Sequence, residues 1–241
     1  MFKLHTNATE NNQGYNKHKV MSRKLTIIIV ILIALTGFTA RAIDKNSYIG
    51  ATRLYYKEAY QDIKPTEVVS SWMVPFDVSN RYDIRSIRVV SVFGDHRESY
   101  LKGHIHTATD LIPATRSALT YIYPMAVGVV CSIHLGHPHK TIVIRHQLAN
   151  GKTLYTSYKH LEEIYVSVGT QVNQQTKIAR LYTREETKKY KGNYDHLHLE
   201  IRKSFYDYGC ASWLTMNKTD LNELFYNPTI FMKNNLGTVK M

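Results

Sequence analysis

Two histidines separated by one residue lie in a segment where polar and apolar side chains alternate. The segment, DHLHLEI, occupies residues 195–201. Successive side chains of a β-strand point to opposite faces, so His196, His198 and Glu200 would share one face and the apolar residues the other. Two imidazoles placed in this way lie ~6.6 Å apart along the strand. They could therefore serve one metal site, one as a ligand and the other beside a bound water.

A further imidazole and a carboxylate stand upstream, where Asp110 is the fourth residue after His106. Two histidines and one carboxylate, with one position open, form a common ligand set of catalytic zinc. Each motif alone is weak evidence, because a lone H-x-H also fits a half-exposed strand face on which Glu200 is solvated. His104 is a competing ligand, although only His106 has the four-residue spacing to Asp110. The histidines of HLGHPH, residues 134–139, could also bind metal, but we expect a polar hairpin loop there.

These side chains need strands to hold them, and most of the chain after residue 42 has the composition of strands. Runs rich in β-branched and aromatic residues are bounded by Gly, Pro, Asn or Asp, as is typical of strands. Asn150-Gly151 between two such runs predicts a hairpin, because a tight turn needs positive φ. Short helices are expected over 48–63 and over 219–226, where Asp220 precedes Glu223 by three residues. The predicted strands are 87–93, 127–134, 141–146, 153–158 and 195–201, which together indicate an all-β core.

The N-terminal part has the features of an export signal. An apolar run at 25–40 follows several basic residues and precedes Ala40-Arg41-Ala42, a pattern typical of a cleaved secretory signal peptide. We therefore expect export and a mature chain that begins at Ile43. The run is short for a bilayer span of ~20 residues, so an uncleaved anchor is the alternative, and it is the only contact with a membrane that we expect. Met21 is an alternative start of translation.

Composition excludes several classes of protein. Hydrophobic residues make up 44% of the 241 residues and charged residues 21%, which argues against a disordered chain. Without residues 1–42 the chain keeps 25 basic and 18 acidic residues, a net charge of +7, which suits an acidic envelope polymer. We expect no nucleic-acid partner, because no recognition motif is present. Two cysteines cannot form a disulfide-dense scaffold. Export would permit a bond between Cys131 and Cys210, and the sequence leaves that bond open.

The order of the motifs resembles that of the LytM/lysostaphin-type zinc metallopeptidases of the bacterial cell wall. His-x-x-x-Asp comes first, His160 follows in YKHL, and His-x-His-Leu-Glu-Ile comes last. The resemblance extends over about residues 89–231. Ala108, where the family usually has Gly, and the single Gly192 before H-x-H depart from it in the walls of the cleft. Shorter matches are SVFG at 91–94, DLIP at 110–113, PMAVGVV at 124–130, IRH at 144–146, VGTQV at 168–172 and NP at 227–228.

The resemblance implies a fold, a cofactor and roles for particular residues. The expected fold is mainly β, a compact antiparallel sheet of the lysostaphin-like type with a few short helices in the N- and C-terminal extensions. We divide the chain into the extension and signal peptide (1–42), an N-terminal arm of open role (43–87), the metallopeptidase domain (88–203) and a C-terminal extension packed on it (204–241). The implied metal ligands are His106, Asp110 and His198, for Zn²⁺, and the implied catalytic histidines are His160 and His196.

Two further residues receive weaker roles from the resemblance. Tyr100 precedes His106 by six residues, where some relatives have a tyrosine that helps to hold the oxyanion or substrate. His146 would orient a neighbour of the site rather than bind metal.

The function that the resemblance implies is hydrolysis of peptide cross-links in peptidoglycan by an exported, monomeric zinc endopeptidase. Its location would be the periplasm or cell envelope, or the extracellular space. The alternative is an inactive relative that binds and regulates cell-wall hydrolases; such proteins typically lack ligands or histidines that this chain retains. The bond cleaved is left open among D-Ala to diaminopimelate, D-Ala to lysine and glycyl bridges.

Overall fold

The computed structural model describes residues 60–98, 102–205, 215 and 217–238. The apolar run, the expected start at Ile43, Tyr100 and Cys210 lie outside these residues. Within the described part, no helix is long and apolar enough to span a membrane.

Among the described residues, most of those in regular secondary structure lie in short strands, and they confirm the mainly β fold. The helices are α1 (Arg184–Thr187), α2 (Lys218–Leu224) and α3 (Pro228–Asn235), with 3₁₀ turns at Ile84–Ser86 and Lys188–Tyr190. The strands are β1 (Ser71–Trp72), β2 (Ile87–Ser91), β3 (His96–Arg97), β4 (His104–Ile105), β5 (Thr109–Pro113), β6 (Tyr121–Ile122), β7 (Gly128–His134), β8 (Thr141–Gln147), β9 (Thr153–Lys159), β10 (Leu161–Ile164), β11 (Gln171–Val172), β12 (Ala179–Leu181), β13 (Leu197–Arg202), β14 (Phe225–Tyr226) and β15 (Gly237–Thr238).

The main sheet is antiparallel, with the order β11-β7-β8-β9-β13-β5-β2 and β14 paired to the end of β13. Among the described residues, β10-β12-β6 form a second sheet, and β1-β15 and β3-β4 form two ribbons. The predicted hairpin between β8 and β9 is present, and Gly151 has φ 78° there. Positive φ is readily available only to glycine, which explains its place in the turn.

Strand β13 shows how the sheet separates the core from the polar residues. Leu197, Leu199 and Ile201 are fully buried in the main hydrophobic core. His198 and Glu200 alternate with them and lie on the other face. That face is also buried, so Glu200 is not the solvated strand residue that the sequence allowed.

Residues 60–87 pack on the sheet through backbone pairing and apolar side chains. Tyr60 pairs with Ser132 of β7, and Val69 donates its N–H to Gln147 O. Trp72 and Phe76 are buried in the main core. The described part of the predicted helix 48–63 is not helical, because residues 60–63 form this extended pairing instead.

The bounds of the C-terminal helix also differ from the expected 219–226. The C-terminal helix starts at Lys218, because the side chain of Asn217 accepts a hydrogen bond from Asp220 N. It ends at Leu224, because Phe225–Tyr226 pair with β13 as a strand. Cys131 is a buried free thiol in the structure.

Candidate metal centre

Three side chains from separate segments meet at one point on the polar face of the sheet. His106 Nε2, Asp110 Oδ1 and His198 Nδ1 are each 3.1 Å from the other two. Asp110 on β5 and His198 on β13 are direct cross-strand neighbours, and His106 lies just before β5. Donor atoms bound tetrahedrally to zinc at about 2.0–2.1 Å lie about 3.3–3.4 Å apart. The observed triangle is close to that spacing.

The outer nitrogen of each histidine shows which atom is left to face the centre. His106 Nδ1 lies 2.8 Å from Val92 O; a carbonyl only accepts, so Nδ1 carries the proton and Nε2 has a lone pair. His198 Nε2 lies 3.3 Å from Glu200 Oε1, which likewise makes Nε2 the donor and leaves Nδ1 basic. Two basic nitrogens and a carboxylate oxygen thus converge, and such a donor set fits a divalent cation.

Glu200 supports the His198 ring through its outer nitrogen. Its Oε1 accepts a hydrogen bond from Thr107 Oγ1 at 2.6 Å, and its Oε2 accepts one from Arg202 Nη1 at 3.2 Å. Burial opposes its charge, but nearby Lys159, His198 and Arg202 outweigh burial and hold the pKa of Glu200 well below its ordinary value. Glu200 therefore stays ionised and fixes the orientation of the His198 ring.

Asp110 is ionised for a related reason. Burial disfavours the carboxylate, but hydrogen bonds from His106 and His198 lower its pKa below the ordinary value. Burial also lowers the pKa of His106, which favours its neutral, ligand-competent form.

His160 lies beside the three-residue group, at the junction of β9 and β10. Its ring centroid is 5.0 Å from that of His196 and 5.7 Å from that of His198. The backbone at His160 has φ 71°, a conformation that is costly for a non-glycine residue and that often occurs at functional sites. Its Nδ1 donates to Pro138 O at 3.0 Å, so Nε2 is the basic nitrogen. Burial and the two neighbouring histidines lower its pKa well below the ordinary value.

His196 lies beside the Asp110 oxygen that is not part of the triangle. Its Nε2 is 3.6 Å from Asp110 Oδ2, while Oδ1 belongs to the triangle. Burial lowers the pKa of His196, and the charge of Asp110 partly opposes that shift. His160 and His196 are thus neutral imidazoles next to the candidate metal position.

The loop between β7 and β8 forms a wall that sequence reasoning did not place at the site. The ring of His139 packs against His160 at 5.4 Å and against Tyr194 at 5.6 Å, and His137 stacks on Tyr190. The predicted hairpin of β8 and β9 could have placed this loop at the site. Its register pairs residue 141 with 159, so residues just before β8 must lie beside His160.

Other candidate residues lie away from the triangle. His104 is buried on β4 and is not one of the three grouped ligands found among the described residues. His146 does not orient a site residue: its Nδ1 is 2.7 Å from Val127 O, and its Nε2 is 2.8 Å from Thr156 Oγ1. It is a core histidine packed against Trp72. Tyr100 lies outside the described residues.

The comparison with protein families indicates the class of this protein, a peptidase. Residues 104–211 match the model of "Peptidase family M23". The match covers slightly less than half of the chain, and it confirms the resemblance to LytM/lysostaphin-type peptidases. Comparison with curated proteins gives no significant match.

Three similar solved structures have low sequence identity to this chain. A zinc-containing peptidase from Vibrio cholerae is 23% identical, with a TM-score of 0.38, and the match covers 55% of this chain but only 36% of that protein. The antimicrobial peptidase lysostaphin from Staphylococcus simulans is 15% identical, with a TM-score of 0.46 and coverage of 70% and 56%. A chain of the SpoIIQ–SpoIIIAH pore-forming complex is 19% identical, with a TM-score of 0.41. The match covers 68% of this chain and 91% of that chain.

Proposed function

We propose that this chain is a zinc-dependent endopeptidase that hydrolyses peptide cross-links of peptidoglycan. The observation that carries the proposal is the triangle of His106, Asp110 and His198, whose basic atoms face one another at 3.1 Å. The ring protons of His106 and His198 point away from the triangle, so without a cation no proton lies between the three atoms to form hydrogen bonds among them. The M23 match of residues 104–211 supports hydrolysis of a peptide bond as the reaction.

The residues around the triangle have separate tasks in this proposal. When bound, zinc supplies a Lewis acid that polarises the scissile carbonyl and activates water. His160, neutral and basic at Nε2, accepts a proton from the attacking water and returns it to the leaving amine. His196, beside Asp110, hydrogen-bonds the developing oxyanion. Glu200 keeps His198 in its ligating orientation.

The cell envelope is the proposed place of action. Residues 25–40 and the Ala40-Arg41-Ala42 site support export, and the net positive charge suits an anionic, sugar-rich polymer. N-terminal sequencing of the exported protein would test this proposal. A start at Ile43 supports cleavage, whereas recovery of residues 25–40 in a membrane-bound product supports the anchor.

Zinc analysis and peptidoglycan digestion test the reaction. Purified protein should contain about one zinc ion per chain, and muropeptide analysis after digestion should show loss of cross-linked dimers. Removal of the metal by a chelator should abolish cleavage, and zinc should restore it. Protein that binds zinc but leaves all cross-links intact would support the regulatory alternative instead. Protein that neither binds zinc nor cleaves would contradict the proposal.

A further inference from the structure

Arg97 on β3 reaches the edge of the candidate metal centre. Its Nη2 donates to Ser91 Oγ at 2.5 Å and lies 3.4 Å from Asp110 Oδ2. Ser91 and Asp110 are neighbours across β2 and β5, so the guanidinium lies above that pair of residues. Its side chain is 29% exposed. The charge of Arg97 is therefore partly buried but still accessible to solvent.

The contacts of the two Asp110 oxygens show why the Arg97 guanidinium needs a counter-charge other than Asp110. Oδ1 faces His106 and His198, whereas Oδ2 faces Arg97 and the neutral His196. Among the described residues, Asp110 provides the only carboxylate within 4.0 Å of Arg97. A divalent cation in the triangle takes up the negative charge of Asp110, since that carboxylate becomes its ligand. Arg97 is then left beside a net positive centre, without a full counter-charge.

An incoming carboxylate would relieve this imbalance. A partly buried charge without a counter-ion is costly, and the planar fork of a guanidinium matches the two oxygens of a carboxylate. Both hydrogen bonds that Arg97 donates to described residues use Nη2. Its other N–H groups can therefore bind a substrate oxygen while Ser91 continues to hold the side chain.

We propose that Arg97 binds a substrate carboxylate on the carbon that carries the leaving nitrogen. This inference rests on the proposed function and narrows it to one substrate class. A cross-link from D-Ala to diaminopimelate has a carboxylate at that carbon. A cross-link to the side-chain amine of lysine has none, and within a glycine bridge the corresponding carbonyl is an amide. The chain should thus prefer diaminopimelate cross-links, with Arg97 as a specificity-determining residue.

A matched pair of peptides tests this proposal. Both contain D-Ala linked to diaminopimelate, and in one of them the carboxylate beside the leaving nitrogen is converted to an amide. The zinc-loaded wild-type protein should cleave the carboxylate peptide with a kcat/KM about 10- to 100-fold higher, because a charge-assisted hydrogen bond contributes that much. Arg97→Gln should remove this preference, so that the two peptides are cleaved with similar kcat/KM. Arg97→Lys should keep part of it.

Arg88→Gln is the control, because it makes the same change of charge at an exposed position on β2. This variant should keep the preference for the carboxylate peptide. Zinc content should be equal in all variants. Equal cleavage of both peptides by the wild type would overturn the proposal. So would an equal loss on both peptides in Arg97→Gln, which would indicate a role toward the oxyanion.

Binding provides a readout that does not depend on turnover. The same two peptides, labelled with a fluorophore, should bind wild-type protein with affinities that differ by about tenfold or more, and should bind Arg97→Gln equally. If neither peptide is cleaved, the proposed function fails, and the binding difference alone decides the role of Arg97. Equal binding of both peptides to the wild type would contradict that role.

Discussion

His146 on β8 and His198 on β13 are both buried histidines of the main sheet, yet their ring nitrogens meet different partners. His146 lies between a backbone carbonyl, Val127 O, and the hydroxyl of Thr156. His198 lies between the carboxylate of Glu200 and a point where Asp110 and His106 also present acceptor atoms. Burial alone therefore does not distinguish a structural histidine from a metal ligand.

His146 and His198 differ in whether protein groups alone can provide a hydrogen-bond partner for both ring nitrogens. A hydroxyl donates or accepts, so a neutral His146 has a partner for each nitrogen. At the triangle, Val92 O and Glu200 already fix the outer protons of His106 and His198. Their inner nitrogens then face each other and a carboxylate, and a cation satisfies all three. The comparison predicts that changes at the two places affect different properties.

The largest effect is expected for His198→Ala. This change leaves two protein donors at the triangle, so zinc affinity should fall by at least about 100-fold and cleavage should be lost. Zinc analysis after dialysis and muropeptide digestion measure the two effects. His146→Gln is the matched control, because it alters a buried histidine of the same sheet and should keep the metal. If His198→Ala retained zinc, the assignment of the triangle would be wrong.

Next in size is the effect of His160→Ala, which should lower the cleavage rate without removing zinc. His160 is adjacent to the triangle but is not one of its three atoms. General acid–base help contributes about 10²–10⁴-fold to the rate, so kcat should fall within that range while zinc content stays at the wild-type level. Steady-state kinetics on a cross-linked dimer measures the rate. Unchanged kinetics would contradict the proposed role.

Local pattern predicted much of the fold and the strand that carries the site. Alternation over residues 195–201 correctly placed His198 and Glu200 on one face of β13 and the aliphatic residues on the other. It could not predict that the polar face is buried, because the groups around Glu200 include Thr107, which is distant in sequence. Strand β5, which carries Asp110, was missed because its polar first residues conceal a buried strand.

The parts of the site that the sequence did not predict depend on long-range register. His139 belongs to a loop whose composition suggests only a polar turn, and its contact with His160 follows from the pairing of β8 with β9. Arg97 belongs to no motif, and it meets Asp110 only because β3 lies over the pairing of β2 with β5. The contact of Arg97 has no signature in the sequence, whereas that of His139 can be inferred only from the register of the hairpin.

A smaller effect is expected for Glu200→Gln. The amide keeps the shape of the side chain but accepts the His198 proton less strongly, and it removes the charge that faces Arg202. Loss of such an outer partner typically lowers metal affinity about 10- to 100-fold. Competition with a zinc chelator measures this change, and the variant should retain activity at saturating zinc. A zinc affinity equal to that of the wild type would contradict this role of Glu200.

The last and smallest effect concerns stability at His146. Complete burial lowers its pKa to about 4, whereas an unfolded chain has a histidine pKa of about 6.5. The unfolded state therefore takes up a proton first as the pH falls, so this histidine's contribution to stability is complete above about pH 6.5 and declines toward pH 4. At about pH 5 the loss is roughly 2 kcal/mol. Since His146→Gln does not titrate, its stability relative to the wild type should rise by that amount between about pH 7.5 and pH 5. Urea unfolding of the metal-free proteins at both pH values measures the difference without contributions from zinc release. A constant difference would mean that His146 takes up a proton in the folded protein as readily as in the unfolded chain, and the contrast with His198 would then fail.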